Sequence, residues 1–357
     1  MTAVACVHLA GRTVAVTGGV DGTVLIWDLV TSTSIGEPLT GHTGSVTAVA
    51  CAQLNGRPIA VTSGRDRTVR IWDLAAGTSI GDPLTGHTDS VTAVACAQLD
   101  GRPIAVTGSR DHMVQVWDLA SGALINLLPA HTGPVTAVAC TQLDGRPIAV
   151  TSGEDLTVHV WDLTTGAGIN RLPCHTVPVT TVACTHFYGR PIAVTSSRDH
   201  TVRVWDLATG TPIGEPLTGH TGFIEAVACT QLNGRPIAVT SGRAHPLRIW
   251  DLATGAALGE RLTGHAGLVE AVCCTGLDGR PVAVTSARDH TVRIWDLTAG
   301  APAGLLTGHT ARSPRWPVPS STAALPPSPE AGTRRCESGT SPAAPPSVTL
   351  SPDTSAP

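Results

Sequence analysis

Lysine is absent from the 357-residue chain, and aromatic residues make up only 3% of it. Charged residues are also scarce, at 14%, and the net charge of −4 provides no positive field that would attract nucleic acid. The shortage of aromatic rings removes the stacking platforms on which single strands bind. We therefore expect no nucleic-acid partner. The exclusive use of arginine as the basic residue is typical of a GC-rich, bacterial genome.

Long apolar runs are missing as well. No segment approaches the roughly 20 apolar residues that a helix needs to cross a bilayer. The N-terminus has no basic region of the kind that opens a signal peptide, and residues 1–16 align instead with the internal segment 46–61. We expect a cytoplasmic protein with no membrane partner.

Metal-binding patterns are missing too. The ten cysteines include no CxxC pair and no Cys/His spacing typical of zinc. Seven of them recur at intervals of 44 or 45 residues, at Cys6, Cys51, Cys96, Cys140, Cys184, Cys229 and Cys274. Each would pair only with its own copy in a neighbouring unit, so we predict buried free thiols in a reducing compartment. We expect no metal and no other cofactor.

The chain does contain a regular repeat. Trp-Asp pairs recur with steps of 45, 45, 44, 44, 45 and 45 residues, at Trp27, Trp72, Trp117, Trp161, Trp205, Trp250 and Trp295. A fixed period of this length indicates one small structural unit copied head to tail. Residues that all copies share are therefore expected to serve the fold, and function is to be sought where the copies differ.

One copy, residues 42–86, indicates how a unit folds. Three apolar, β-branched runs, SVTAVAC, IAVTS and TVRIWDL, are separated by short turns and followed by a fourth run, SIGDPLT. This pattern predicts a four-stranded antiparallel meander. Pro38, Pro83 and Pro216 fall in the fourth run of their units. Because proline cannot donate a ladder hydrogen bond, we expect this strand at the exposed outer edge.

A histidine lies 30 residues before six of the tryptophans, at His42, His87, His131, His175, His220 and His265. With these Gly-His and Trp-Asp signatures, residues 2–309 resemble the WD-repeat propellers. The resemblance implies an all-β, seven-bladed β-propeller of four-stranded antiparallel blades, which we place at residues 1–310 and number by their tryptophans. Residues 311–357 are rich in Pro, Ser and Ala, so we expect a disordered tail.

A shared polar set accompanies each tryptophan, with a Thr ten residues before it and, in six blades, an Asp six residues before it. In blade 2 the set is His42, Thr62, Asp66 and Trp72. The resemblance implies a buried hydrogen-bond chain, which suits indole and imidazole donors, a hydroxyl relay and a carboxylate acceptor. A nucleophilic triad uses similar groups, but a Thr repeated in every blade without an oxyanion-hole motif indicates a structural role.

Two blades depart from this pattern. Blade 1 has Thr17, Asp21 and Trp27 but no preceding His, whereas the chain reaches His309 after blade 7. In a closed ring we expect His309 to complete that set and so to join blade 7 to blade 1, a contact we call the latch. No blade would then combine strands from both termini. The alternative is a chain truncated at its N-terminus. Blade 6 has Ala244 where the Asp is expected.

Differences between blades concentrate on one face of the ring. The positions three and five residues after the His, and one before the Asp, are expected to point outward there. They provide seven candidate partner-binding residues in blades 5 to 7: Phe223, Glu225, Leu268, Glu270, Arg198, Arg243 and Arg288. Interfaces concentrate aromatic and Arg anchors, so we predict a protein or peptide contact centred on Phe223. The alternative is that Phe223 and Leu268 only fill gaps at the channel mouth.

These observations favour a non-catalytic protein–protein interaction scaffold, expected to be monomeric, with a protein or peptide partner. The alternative is a sensory or regulatory module detached from a larger bacterial signalling protein, a kinase or an NTPase. A propeller enzyme or lectin would need ligand groups that converge at the channel mouth, and the varied positions include neither a nucleophile–base pair nor an aromatic sugar platform.

Overall fold

The computed structural model describes residues 2–129, 131–172, 175–243 and 247–307. These residues form seven antiparallel sheets, each built from consecutive strands. The sheets are the blades of a seven-bladed β-propeller, so the predicted fold class is confirmed. Ala244, His309 and the tail lie outside the described residues, and the predictions made for them remain predictions.

The strands follow the repeat. Blade 1 contains β1 (Ala3–Leu9), β2 (Arg12–Gly18), β3 (Val24–Asp28) and β4 (Thr33–Leu39). Blade 2 contains β5 (Val46–Leu54), β6 (Arg57–Gly64), β7 (Thr68–Asp73) and β8 (Thr78–Thr85). Blade 3 contains β9 (Val91–Leu99), β10 (Arg102–Ser109), β11 (Val114–Asp118) and β12 (Leu124–Leu128). Blade 4 contains β13 (Val135–Leu143), β14 (Arg146–Gly153), β15 (Val158–Asp162) and β16 (Gly168–Leu172). Blade 5 contains β17 (Val179–Phe187), β18 (Arg190–Ser197) and β19 (Val202–Asp206). Blade 6 contains β20 (Ile224–Leu232), β21 (Arg235–Gly242), β22 (Leu247–Asp251) and β23 (Ala257–Leu262). Blade 7 contains β24 (Val269–Leu277), β25 (Arg280–Ala287), β26 (Thr291–Asp296) and β27 (Ala301–Thr307).

The outer segment of blade 5 differs from the predicted fourth strand. It pairs with β19 through two isolated bridges, Val202 with Leu217 and Trp205 with Pro212, and through the Ile213 amide, which donates to the backbone oxygen of Val204 at 2.8 Å. Its sequence carries two prolines, Pro212 and Pro216, where the outer strands of blades 1 and 2 carry one each. Two missing N–H donors in seven residues interrupt the ladder, which explains the shorter pairing.

The first strand of each blade lines a central channel. Seven such strands, β1, β5, β9, β13, β17, β20 and β24, contact one another around a closed circle. They bound a cavity of about 250 Å³. In blades 2 to 7 the pairing of the first two strands shifts register near the start of the first strand, as between Val46 and Ala48. Such a bulge leaves one residue unpaired, here Thr47, and re-aims its side chain.

Apolar clusters fill the boundaries between blades. At the boundary of blades 1 and 2, Val16, Ile26 and Leu39 pack with Ala60 and Trp72. Trp72 is 2% exposed. Each tryptophan therefore joins its own blade to the preceding one, since its ring packs on the middle strands of that neighbour. This explains why the tryptophan recurs once per unit.

The Asp of each Trp-Asp pair has a different task. The Asp73 carboxylate accepts backbone hydrogen bonds from Ala75 and Ala76, both 2.9 Å long, and holds the turn that leads to the outer strand. These bonds, with that from Ala76 the largest contributor, keep the pKa of Asp73 below its ordinary value. Arg57 lies 3.5 Å from the same carboxylate, but its side chain is 74% exposed, so the ion pair contributes little.

Blades 7 and 1 close the ring through side-chain packing. Val4 and Trp27 of blade 1 share a cluster with Val284 and Leu306 of blade 7. The Thr13 hydroxyl also donates to the backbone oxygen of Gly276, at 3.2 Å. Among the described strands, no sheet combines strands of blades 1 and 7, so these two blades meet as neighbouring sheets. Across the described residues, no helix has both the length and the apolarity to span a membrane.

Candidate functional site

One face of the ring, which we call the channel face, carries the loops that precede each first strand and the bulge residues behind them. Five threonines at equivalent positions line the channel mouth: Thr47, Thr92, Thr136 and Thr180 at the bulges, and Thr2 just before β1. Each hydroxyl donates to a backbone oxygen of the next blade, for example from Thr136 to Val179 at 2.7 Å and from Thr180 to Ile224 at 2.6 Å. These bonds tie neighbouring blades together at the mouth.

Blades 6 and 7 interrupt this circle of hydroxyls. Their bulge positions hold Glu225 and Glu270, and a carboxylate has no hydrogen to donate to the next blade. Each acid instead binds an arginine of its own blade, with Arg243 Nε 2.7 Å from Glu225 and Arg288 Nε 2.6 Å from Glu270. The candidate acids are thus paired within their blades, which sequence reasoning did not anticipate.

We predict that Glu225→Thr stabilises the fold, because a threonine there can donate to the backbone oxygen of Val269. Ser241 now makes that bond, at a longer 3.2 Å. A neutral hydrogen bond contributes about 1 kcal/mol net. The matched control is Glu225→Val, which has the same shape without a hydroxyl. Urea denaturation should show the Thr variant to be the more stable of the two by about that amount; equal midpoints would contradict the role of the hydroxyl.

Phe223 lies at the boundary of blades 5 and 6 on the channel face. Its ring is half-buried and has two guanidinium groups near it, with the Cζ of Arg243 5.0 Å and that of Arg198 6.0 Å from the ring centroid. The His200 ring packs on it as well, at 5.7 Å between centroids. The backbone oxygen of Phe223 accepts the N–H of Arg243, at 2.8 Å, so the loop is held as in the other blades. Cations over an aromatic face attract it and fix the ring position.

Leu268 and Phe223 have different surroundings. Leu268 lines a cavity of about 250 Å³ at the channel mouth, together with Glu225, Glu270 and Arg288. Phe223 is not among the residues that line the described channel or its mouth cavities. Leu268 therefore lies at the channel mouth, whereas Phe223 belongs to a cluster with Arg198 and Arg243. The seven candidate residues form two adjacent groups.

The channel face carries excess positive charge near this cluster. Five blades carry an arginine directly before the Asp position of the polar set: Arg65, Arg110, Arg198, Arg243 and Arg288. The Glu partners in blades 6 and 7 neutralise two of them, Arg243 and Arg288. Within the described ranges, no ion pair involves Arg65, Arg110 or Arg198. Arg110 and Arg198 line one cavity of about 190 Å³ together with two acids, Glu154 and Glu225. Arg198 belongs both to this cavity and to the cluster around Phe223.

The polar set of blade 2 forms one continuous hydrogen-bond chain. Trp72 Nε1 donates to Thr62 Oγ1 at 2.8 Å, and Thr62 Oγ1 lies 2.8 Å from His42 Nε2. His42 Nδ1 lies 2.9 Å from an oxygen of Asp66. Because the carboxylate only accepts, Nδ1 carries the hydrogen, and Nε2 accepts from the threonine hydroxyl. Every polar atom of the buried chain has its partner, so the set acts as scaffold.

Four further blades repeat this geometry. Their sets are His87, Thr107, Asp111 and Trp117; His131, Thr151, Asp155 and Trp161; His175, Thr195, Asp199 and Trp205; and His265, Thr285, Asp289 and Trp295. In blade 6, His220 Nε2 lies 2.7 Å from Thr240.

Blade 1 contains the indole–hydroxyl part of the chain. Trp27 Nε1 donates to Thr17 at 2.8 Å, and Asp21 accepts from the Thr23 hydroxyl at 2.7 Å. The predicted partner His309 lies outside the described residues, so the latch stays a prediction.

Several features of this face escaped sequence reasoning. The threonine circle joins residues 43 or 44 positions apart in different blades, which one repeat considered alone does not reveal. His200 follows the network residue Asp199 in a turn, yet it is half-buried against Phe223. Its positive φ of 68° belongs to the turn. Comparing bulge positions across all seven units would have shown the pattern of five Thr and two Glu. Among the described residues, no three His, Cys, Asp or Glu side chains gather as metal ligands would.

Seven antiparallel blades, each carrying the His-Thr-Asp-Trp set or part of it, define the chain as a WD-repeat β-propeller. The family model "WD domain, G-beta repeat" (WD40) matches residues 2–28, 33–73, 78–118, 122–162, 166–206 and 257–296. The chain therefore belongs to the WD40 family, whose propellers are generally non-catalytic scaffolds that commonly bind proteins or peptides. The matched segments leave out residues 207–256, which include Phe223 and Ala244. A search of curated proteins finds no match to the chain.

Proposed function

We propose that this propeller is a non-catalytic scaffold that binds a protein or peptide on the channel face near blades 5 to 7. The observation that carries the proposal is the cluster of Phe223 with Arg198 and Arg243. A half-buried ring with fixed cations beside it has the composition of an interface anchor, since aromatic and Arg side chains dominate binding energy at such sites.

The charge of the channel face indicates the chemistry of the partner. Arg243 binds Glu225 through Nε, which leaves its terminal amino groups to other acceptors. Arg198 contacts the Phe223 ring and has no ion pair in the described part of the chain. A segment with an acidic side chain next to an apolar or aromatic one would match both groups, because a carboxylate accepts from guanidinium forks while the apolar group covers the ring.

The test uses matched pairs of substitutions on the same face. Phe223→Ala with Arg243→Ala removes the cluster, and Ser45→Ala with Arg65→Ala changes the equivalent positions in blade 2. The backbone bond at those positions is the same, 2.8 Å from Arg243 to Phe223 and 2.9 Å from Arg65 to Ser45. Both variants should fold, since Arg65 and Arg243 are exposed and Ser45 and Phe223 are only half-buried.

The readout is selection from a random peptide library on the wild-type propeller, followed by affinity measurement of the selected peptides. We expect acidic peptides with an apolar or aromatic residue, and a loss of roughly 30-fold in affinity for the blade 6 variant, as for an anchor contributing about 2 kcal/mol. The blade 2 variant should bind like the wild type. Equal affinities for all three proteins would refute this site.

A further inference from the structure

The blade boundaries share a pattern of small residues on the channel strands. The residue before the recurring cysteine is alanine in blades 2 to 6, and it lies in the same apolar cluster as the cysteine of the next blade. The pairs are Ala50 with Cys96, Ala95 with Cys140, Ala139 with Cys184, Ala183 with Cys229, and Ala228 with Cys274. Each of these boundaries therefore brings one methyl group and one thiol together.

The seam between blades 7 and 1 breaks this pattern. Blade 7 has Cys273 in place of the alanine, and this residue shares a cluster with Cys6, the recurring cysteine of blade 1. The two sulfur atoms are 2.7 Å apart. The expectation that each cysteine meets only its own copy is thus wrong at this boundary, because the extra cysteine of blade 7 faces the first strand of the chain.

A bond between these two cysteines would link the first blade to the last. Cys6 lies on β1 and Cys273 on β24, so a bond between them would enclose almost the whole propeller in one loop. The chain itself links each blade to the next from blade 1 to blade 7, whereas among the described residues apolar packing and the Thr13–Gly276 hydrogen bond join blade 7 to blade 1. Both cysteines are free thiols, and both residues are partly exposed.

We propose that Cys6 and Cys273 are a redox pair that closes the ring covalently when a low-molecular-weight disulfide oxidises them. The thiolate of one cysteine attacks a sulfur of the small disulfide, forms a mixed disulfide and releases one small thiol. The second cysteine then attacks the protein sulfur of that mixed disulfide and releases the other small thiol. In total, two protein thiols are oxidised to one disulfide, and one small disulfide is reduced to two thiols.

The reaction should accelerate as the pH rises. The hydrogen bond with Cys6, and burial after it, raise the pKa of the Cys273 thiol well above its ordinary value. Because the thiolate is the attacking form, few molecules react at neutral pH and more do so in mild alkali. The same contact that brings the sulfurs together therefore makes the closure slow near neutrality.

The experiment treats the purified full chain with oxidised glutathione at pH 7 and pH 8.5. The remaining thiols are then alkylated in denaturant without reductant, so that any disulfide stays intact. We expect loss of two alkylatable thiols and an intramolecular disulfide between the peptides that contain Cys6 and Cys273, formed faster at the higher pH. The melting temperature of the oxidised protein should be roughly 5–10 °C above that of the reduced protein, as expected for a very long closed loop. A reductant should reverse this rise.

Two neighbouring substitutions provide the controls. Cys273→Ala restores the residue of blades 2 to 6 and should abolish both the disulfide and the stabilisation. Cys274→Ala removes the adjacent cysteine, which packs towards blade 6, and should leave both intact. Mixed disulfides with glutathione that never resolve, or a disulfide that survives Cys273→Ala, would overturn the proposal. A circular dichroism spectrum unchanged from the wild type shows that each variant has folded.

Discussion

Asp66→Ala should lower the free energy of unfolding by about 3–5 kcal/mol, the cost of stranding buried polar partners. The Asp66 side chain is 6% exposed and accepts four hydrogen bonds. They come from His42 Nδ1 and the Thr43 amide, both at 2.9 Å, and from the Thr68 amide and hydroxyl, at 3.1 and 2.8 Å. Alanine leaves these donors without an acceptor inside blade 2, and buried unpaired donors carry the full desolvation cost.

The measurement is thermal and urea unfolding beside a control, Asp82→Ala. Asp82 is an exposed residue of the outer strand β8, so the control removes an equal charge without a buried partner. We expect the melting temperature of Asp66→Ala to fall by roughly 5–8 °C and that of Asp82→Ala to stay within about 1 °C. Equal shifts in both variants would mean that the network contributes no more than any surface charge.

Stability should also fall steadily as the pH drops below about 6.5, the ordinary pKa of histidine. Burial lowers the pKa of five network histidines, despite their Asp partners: His42, His87, His131, His175 and His265. The unfolded chain therefore binds protons at a pH where the folded chain still excludes them. A group with a depressed folded pKa contributes stability above its unfolded pKa and loses it as the pH falls towards the folded value.

The carboxylates extend this loss to lower pH. Burial alone would raise the pKa of Asp155, but its hydrogen bonds with Thr157 and His131 outweigh burial and lower the pKa to about 2. Asp289 behaves alike, with a pKa of about 2. Their contribution is present above pH 3.8 and disappears as the pH falls towards 2. We thus expect stability to fall in two stages as the pH drops, the first from protonation of the imidazoles and the second from protonation of the carboxylates.

Urea midpoints at closely spaced pH values between 7.5 and 3 measure this loss of stability, and His159→Gln provides the control. Burial lowers the pKa of His159 to about 4, and the charges of His131 and Arg171 add to that effect. Gln115 occupies the same position in blade 3, so the substitution fits the fold. The variant should lose less stability between pH 6.5 and 4 than the wild type. A flat midpoint from pH 7.5 to 5 would contradict the histidine argument.

The sequence predicts the blades well because a single period specifies both local strands and their order. The Thr62–His42 and Asp66–His42 contacts follow from that period together with the family resemblance. The contacts between blades do not, since Thr136 meets Val179 only after a bulge turns its side chain towards the next blade. Likewise, the pairing of Arg243 with Glu225 depends on side-chain directions at a mouth where the two positions are 18 residues apart.

Closure of the ring at an ordinary blade boundary removes the need for end caps. A linear array of repeats exposes an apolar face at each end and requires terminal units with a polar outer surface to stay in solution. Here the apolar faces of blades 1 and 7 cover each other, with Leu25 packed beside Ile294. The number of units is therefore fixed, because removing or adding one would uncover two faces. Variation is left to single side chains on the rim, and this is where blades 6 and 7 differ from the rest.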